Sequence, residues 1–108
     1  MSNKYLRDIY VYGTDFWDFY NAQTKKVQDK IDWVIDLVRT LPMIPERFFE
    51  HLKGTDVLFE IRIKLGSNIF RIFCFFDEGN LVILLNGFQK KSQKTPKNAI
   101  KKAERLKR

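Results

Sequence analysis

From Val57 to Leu65 the chain alternates strictly. Val57, Phe59, Ile61, Ile63 and Leu65 interleave with Leu58, Glu60, Arg62 and Lys64. A period of two is the mark of a half-buried strand, because successive side chains leave opposite faces of a pleated backbone. One face of this strand must enter a core, and Glu60, Arg62 and Lys64 then form a row on the other. Gly66-Ser67-Asn68 reads as a hairpin connection. Ile69 to Phe76 reads as the next strand, apolar on both faces except for Arg71. A guanidinium in such a strand is costly unless it is paired or has a task. Asp77-Glu78-Gly79-Asn80 makes a second turn, and Leu81 to Leu85 a third strand that ends at Asn86-Gly87. Three strands joined by short turns commit this half of the chain to an antiparallel sheet.

The first half supplies what covers the sheet. Arg7 to Tyr12 reads as a short strand, ended by Gly13. Thr14 or Asp15 is placed to cap a helix, and Val27, Ile31, Val34, Ile35 and Val38 recur at helical spacing. A long helix, or two helices kinked near Asn21, is expected up to Thr40. Phe16, Trp17, Phe19 and Tyr20 enlarge its apolar surface and serve mostly as packing. Leu41-Pro42-Met43-Ile44-Pro45 stops it, and Glu46 to Lys53 reads as a second, short helix with Gly54 after it. At the far end Thr95 is expected to cap a last helix with Pro96 in its first turn. Ala99, Ile100, Ala103 and Leu106 form its inner stripe, and Lys97, Lys101, Lys102 and Arg105 its wet side. The order is β-α-α-β-β-β-α. The expected class is α+β, a small antiparallel or mixed sheet with helices packed on one face, and residues 1–108 form one domain.

Charge is unevenly placed. The chain carries +7, yet Phe88 to Arg108 alone carries +8, so the rest is close to neutral. Four lysines fall between Lys90 and Lys97. Localised positive charge attracts a polyanion and makes its binding salt-dependent; a solvated basic tail is the plainer alternative. Cys74 is the one cysteine, inside an apolar run, and reads as a small core residue. His51 is the one histidine and has no carboxylate cluster beside it, so a surface or partly packed role is expected. No metal site is evident. Nor is any apolar run long enough for a membrane span or a signal core, and the expected compartment is the cytoplasm.

On this reading Arg62 and Lys64 from the first long strand, Arg71 from the next, and Lys90, Lys91 and Lys94 from the loop leaving the third converge on the open face. Phe88 stands beside them, available to stack on a base. Such a face suits a phosphate backbone. RNA cleavage without a metal needs a base for the ribose 2′-OH, cations for the charge building at phosphorus, and an acid for the leaving oxygen. Glu60 is the one carboxylate on the face. It is either that base or the ion-pair partner of Arg62, Arg71 or Lys64.

The stretches Leu58-Phe59-Glu60-Ile61-Arg62-Ile63, Phe70-Arg71-Ile72, Leu85 to Pro96 and Ala99-Ile100-Lys101-Lys102-Ala103 resemble the HigB-like, phage-derived branch of the RelE/ParE toxin superfamily. The resemblance implies the toxin half of a type II toxin–antitoxin pair, needing no cofactor. It also implies a metal-independent endoribonuclease that cuts mRNA in the ribosomal decoding site, and a small helix-turn-helix, HigA-like antitoxin as partner. Carried over by residue, it implies Arg71 and Lys90 on the scissile phosphate, with Arg62 and Lys91 positioning the backbone. Glu60 joins this catalytic group, and Lys64, Phe88, Lys94 and Lys97 the RNA-binding surface. No His or Tyr follows the last strand, so the acid and base stay unassigned. Some superfamily members inhibit DNA gyrase instead, and that activity, like a plain RNA-binding module, remains an alternative.

Overall fold

A computed structural model describes residues 5–91 and 95–108. The elements are β1 (Asp8–Val11), α1 (Asp15–Asn21), α2 (Lys25–Thr40), β2 (Phe49–His51), β3 (Phe59–Leu65), β4 (Asn68–Asp77), β5 (Leu81–Lys90) and α3 (Lys97–Lys107). They build one five-stranded sheet in the order β1-β5-β4-β3-β2. The β2–β3, β3–β4 and β4–β5 pairs are antiparallel, whereas β1 lies parallel to β5, so the sheet is mixed.

The alternation of β3 does what its pattern demands. Ile61 and Ile63 are fully buried, together with Phe70, Ile72, Cys74, Val82 and Leu84 from the neighbouring strands. Against them lies the stripe Val27, Ile31, Val34 and Val38 of α2, spaced to keep one helical face inward. Each fully buried aliphatic of this kind contributes about 1.5–3 kcal/mol. The turn from β3 to β4 needs only Gly66-Ser67, closed by the Leu65–Asn68 pair, and Gly66 has the positive φ of 62° that such a turn requires at its first position. Burial also pushes the Cys74 thiol pKa far up, consistent with a core role.

The long helical segment divides at Ala22–Thr24. Thr24 caps α2 by accepting from the Val27 amide, whereas Thr14, at the cap of α1, makes no side-chain cap bond. At the other end of α2, Arg7 donates to the carbonyls of Val38, Leu41 and Pro42, which answers the unpaired carbonyls of a helix C-terminus.

Four local expectations are corrected. Residues 46–53 are not a helix. One turn after Pro45 is followed by β2, in which Phe49 stacks on Phe59 at 5.2 Å and 9°. Pairing with the otherwise open edge of β3 outweighs the local helical pattern. The strand expected from Val57 starts at Phe59, and α3 begins at Lys97 with Pro96, not Thr95, at its cap position. The last correction has the largest consequence. Gly87 does not end the last strand; β5 runs on to Lys90. An added Cβ at Gly87 would come within 2.8 Å of Cδ2, Cε2 and Cγ of Phe19. Glycine is there because α1 lies on the strand.

The α1–α2 layer covers one face, as the α+β class requires. The last helix reaches over part of the other face, where Ala103 packs with Leu52, Leu58, Phe73, Ile83 and Leu85. Asn86 donates to the Ala99 carbonyl at 3.2 Å, and Lys102 pairs with Asp15 at 2.7 Å, which fix the helix in place. That second face is therefore only half covered.

Gly87→Ala is expected to cost about 1–3 kcal/mol in urea unfolding, because the Phe19 ring must be displaced. Adding Phe19→Leu should return part of that loss through a coupling above about 0.5 kcal/mol. Strict additivity of the two changes would show that the ring contact is not the cause.

Candidate functional site

The uncovered half of the second face carries the row anticipated from β3. Register fixes its layout. Arg62 faces Arg71, and Arg71 faces Phe88; one step along, Lys64 faces Ile69, and Ile69 faces Lys90. Four cationic side chains thus occupy two neighbouring rungs of three strands. Cross-strand neighbours at this spacing interact, and like charges so placed repel unless something neutralises or uses them.

Glu60 lies one step inward, opposite Phe73, with its side chain 7% exposed. Its Oε2 accepts from Arg62 Nη2 at 2.8 Å and from Arg62 Nε at 3.1 Å. Its Oε1 stands 3.2 Å from Arg71 Nε, an ion pair whose angle falls short of a hydrogen bond. Arg62 also pairs closely with Glu50 of β2 and donates to the Glu46 carbonyl at 3.3 Å. Arg71 donates from Nη1 to the Phe70 carbonyl at 3.3 Å, and its Nη2 has no protein partner among the described residues. Burial, and the charge of Arg62 against the opposing pull of Glu60, draw the Arg71 pKa below its usual value. A guanidinium nonetheless stays a cation at neutral pH.

The sequence-derived candidates are distributed as follows. Glu60, Arg62 and Arg71 form one ion-paired unit. Lys64 is exposed and Lys90 half-buried, one rung out. Lys90 comes from the end of β5, not from the loop after it, because the strand continues past Gly87. Lys91 follows at the exposed strand end, and Lys97 is exposed at the start of α3. Among the described residues none of these four lysines takes part in an ion pair. Phe88 is half-buried with its ring edge-on to Phe73 at 5.1 Å, so part of it belongs to the core. Lys94 lies outside the described residues. His51 is exposed, with Nε2 3.0 Å from the Asp56 carbonyl. Among the described residues no three His, Cys, Asp or Glu side chains cluster as metal ligands do.

Two residues escaped the sequence reading. Arg47 lines a cavity of about 170 Å³ with Arg62, Lys64, Ile69 and Arg71. Glu50 supplies the second carboxylate to Arg62. Both sit in the segment read as a helix, where neither points at β3; the alternation Phe49-Glu50-His51 was the available signal. Chemically the unit is a charge-balanced cluster, Glu60 and Glu50 against Arg62 and Arg71, in which Nη2 of Arg71 has no protein partner among the described residues. The outer lysines add positive charge toward solvent.

Replacing Glu60 by Gln leaves two guanidiniums packed against a neutral amide. The expected loss in urea unfolding is about 3 kcal/mol, the low end for a broken buried pair because Arg62 is 27% exposed and keeps Glu50. Glu50→Gln, at a site 30% exposed, should cost under about 1 kcal/mol. Equal losses for the two variants would contradict the central place given to Glu60.

The sequence profile of the family described as "Phage derived protein Gp49-like (DUF891)" matches residues 18–108. The fold is similar to the archaeal RelE–RelB complex from Pyrococcus horikoshii OT3, at a TM-score of 0.54 and 16% identity over 82% of this chain and 98% of that one. No curated protein matches the sequence significantly.

Proposed function

The chain belongs to the phage-derived, Gp49-like family, and on that footing we propose that it is the toxin of a type II toxin–antitoxin pair. Its activity is metal-independent cleavage of mRNA in the ribosomal decoding site, as in the HigB-like branch of the RelE/ParE superfamily. The RelE-like fold is compatible with this but does not by itself assign an activity. The observation that carries the proposal is the seat of Arg62 and Arg71 around buried Glu60, with Lys64 and Lys90 one rung away.

In RNA cleavage by the neighbouring 2′-OH, that oxygen loses its proton and attacks phosphorus, and the 5′ oxygen leaves. Negative charge gathers on the non-bridging oxygens in between. Arg71 and Lys90 take those oxygens, since Nη2 of Arg71 has no protein partner among the described residues. Arg62 and Lys91 hold the backbone on either side, Lys64, Lys94 and Lys97 extend the basic surface, and Phe88 limits the site beside Arg71. Both Glu60 oxygens already engage arginines, so its contribution is to hold the guanidiniums in register, not to serve as the base. Proton transfers then fall to groups ordered by the ribosome, where correct placement alone is worth a large share of a barrier. The ribosomal target places the protein in the cytoplasm. A small helix-turn-helix, HigA-like antitoxin is its partner.

Purified protein added to a defined mRNA should give codon-phased cuts with programmed ribosomes, and none on naked RNA with EDTA. Arg71→Ala should lower the rate about 10²–10³-fold, the usual loss for one charge-stabilising donor, while the protein stays folded. Intact mRNA in every arm, with DNA supercoiling inhibited instead, would replace this reading by that of a gyrase inhibitor.

A further inference from the structure

Beside the Glu60–Arg62–Arg71 unit, at the sheet edge, lies a second, larger groove of about 500 Å³. It is lined by Lys30 and Trp33 of α2, Arg47 and Phe48 of the turn before β2, Arg62 and Lys64 of β3, and Gly66. Arg47, Arg62 and Lys64 line both cavities, so the two adjoin. The groove follows β3 beyond its pairing with β2, which ends at Phe49–Ile61 apart from the bond from the Arg62 amide to the Phe48 carbonyl at 2.7 Å.

Its composition is specific. Four cations line it and no carboxylate does. Within it Trp33 is 48% exposed, a large apolar plane left in water. Phe48 braces the indole edge-to-face at 5.5 Å and 82°, and the Lys30 ammonium lies 4.6 Å from the ring centroid. Arg47 lies similarly over Phe48 at 4.8 Å. Lys30 and Arg47 thus each rest on an aromatic ring. An unpaired base offers a flat partner for the indole, and its phosphates offer anions for the two displaced cations. A duplex hides its bases, and an acidic peptide brings charge without a plane.

We infer that this groove is the exit track for single-stranded RNA, with Trp33 as the stacking platform for a base flanking the cleaved phosphate and Lys30, Arg47 and Lys64 as backbone contacts. The inference rests on the RNA reading above and adds the path that the strand takes over the sheet edge. Binding at Trp33 orients the strand so that its next phosphate enters the Arg62–Arg71 seat. Trp33 is therefore a positioning and specificity residue for the flanking nucleotide.

The test is binding of a fluorophore-labelled 2′-O-methyl RNA, which cannot be cleaved, to the full chain. In a Trp17→Phe background Trp33 is the sole tryptophan, and its emission should be quenched as the oligonucleotide saturates. Trp33→Ala should weaken binding roughly 5–150-fold, the range for loss of one base–aromatic stack. The Lys30→Ala/Arg47→Ala pair should make the salt dependence shallower by about 1.4 in slope, about 0.7 per lost phosphate contact. Unchanged Trp33 emission at saturation, together with undiminished binding by folded Trp33→Ala, would overturn the track while leaving the RNA reading standing. Failure of the parent protein to bind the oligonucleotide at all would overturn the track, and codon-phased cutting in the ribosome assay would then show separately whether the RNA reading stands. Equal quenching by polyglutamate would assign the groove to an acidic protein instead.

Discussion

A carboxylate buried as deeply as Glu60 is tolerable only if its charge is met, and in this sheet two arginines from two strands meet it. That condition is demanding. It requires β3 and β4 to pair in one register, since a slip of one residue would turn Glu60, Arg62 and Lys64 into the apolar core beside α2. It also benefits from β2, which adds Glu50 to the outer side of Arg62. The four ion-paired groups balance in charge, so the excess on this face comes from the lysines one rung out, which have no acidic partner among the described residues. Glu60 and Glu50 engage chiefly Arg62, whereas Nη2 of Arg71 has no protein partner among the described residues. On the phosphate-binding reading proposed above, the two guanidiniums are oriented on folding, so an incoming phosphate does not have to order them.

The unequal covering of the two faces explains why the site lies where it does. The α1–α2 layer closes one face with aliphatic contacts. On the other, α3 covers the Phe73–Leu85 side and stops short of Arg71. Phe88 and Phe73 form the boundary between the dry and the charged halves. Gly87 is the device that carries β5 past α1, so that Phe88 and Lys90 arrive beside Arg71 instead of leaving the sheet.

Much of this was legible because the signals were periodic. The alternation in β3 told its buried side from its wet side, and Arg71, alone in an apolar strand, marked a paired or working residue. The ion-pair alternative for Glu60 proved correct in geometry. What was not legible depended on tertiary contact. Eight residues between Pro45 and Gly54 satisfy a helical pattern about as well as a strand, and the open edge of β3 decided the matter. Gly87 reads as a stop unless the Phe19 ring above it is known. Lys30 and Trp33 share α2, but Arg47 and Arg62 come from other segments, and no spacing rule joins an α2 lysine to a β3 arginine.

The most direct measurement follows the arginine Nε–Hε resonances of the folded protein during titration with a short 2′-O-methyl RNA. If Glu60 holds Arg62 and Arg71 ready for phosphate, both resonances are resolved and slowly exchanging before RNA is added, and both move together as it binds. Resonances already averaged with solvent in the free protein, or unmoved while RNA binds elsewhere, would contradict a preorganised phosphate seat.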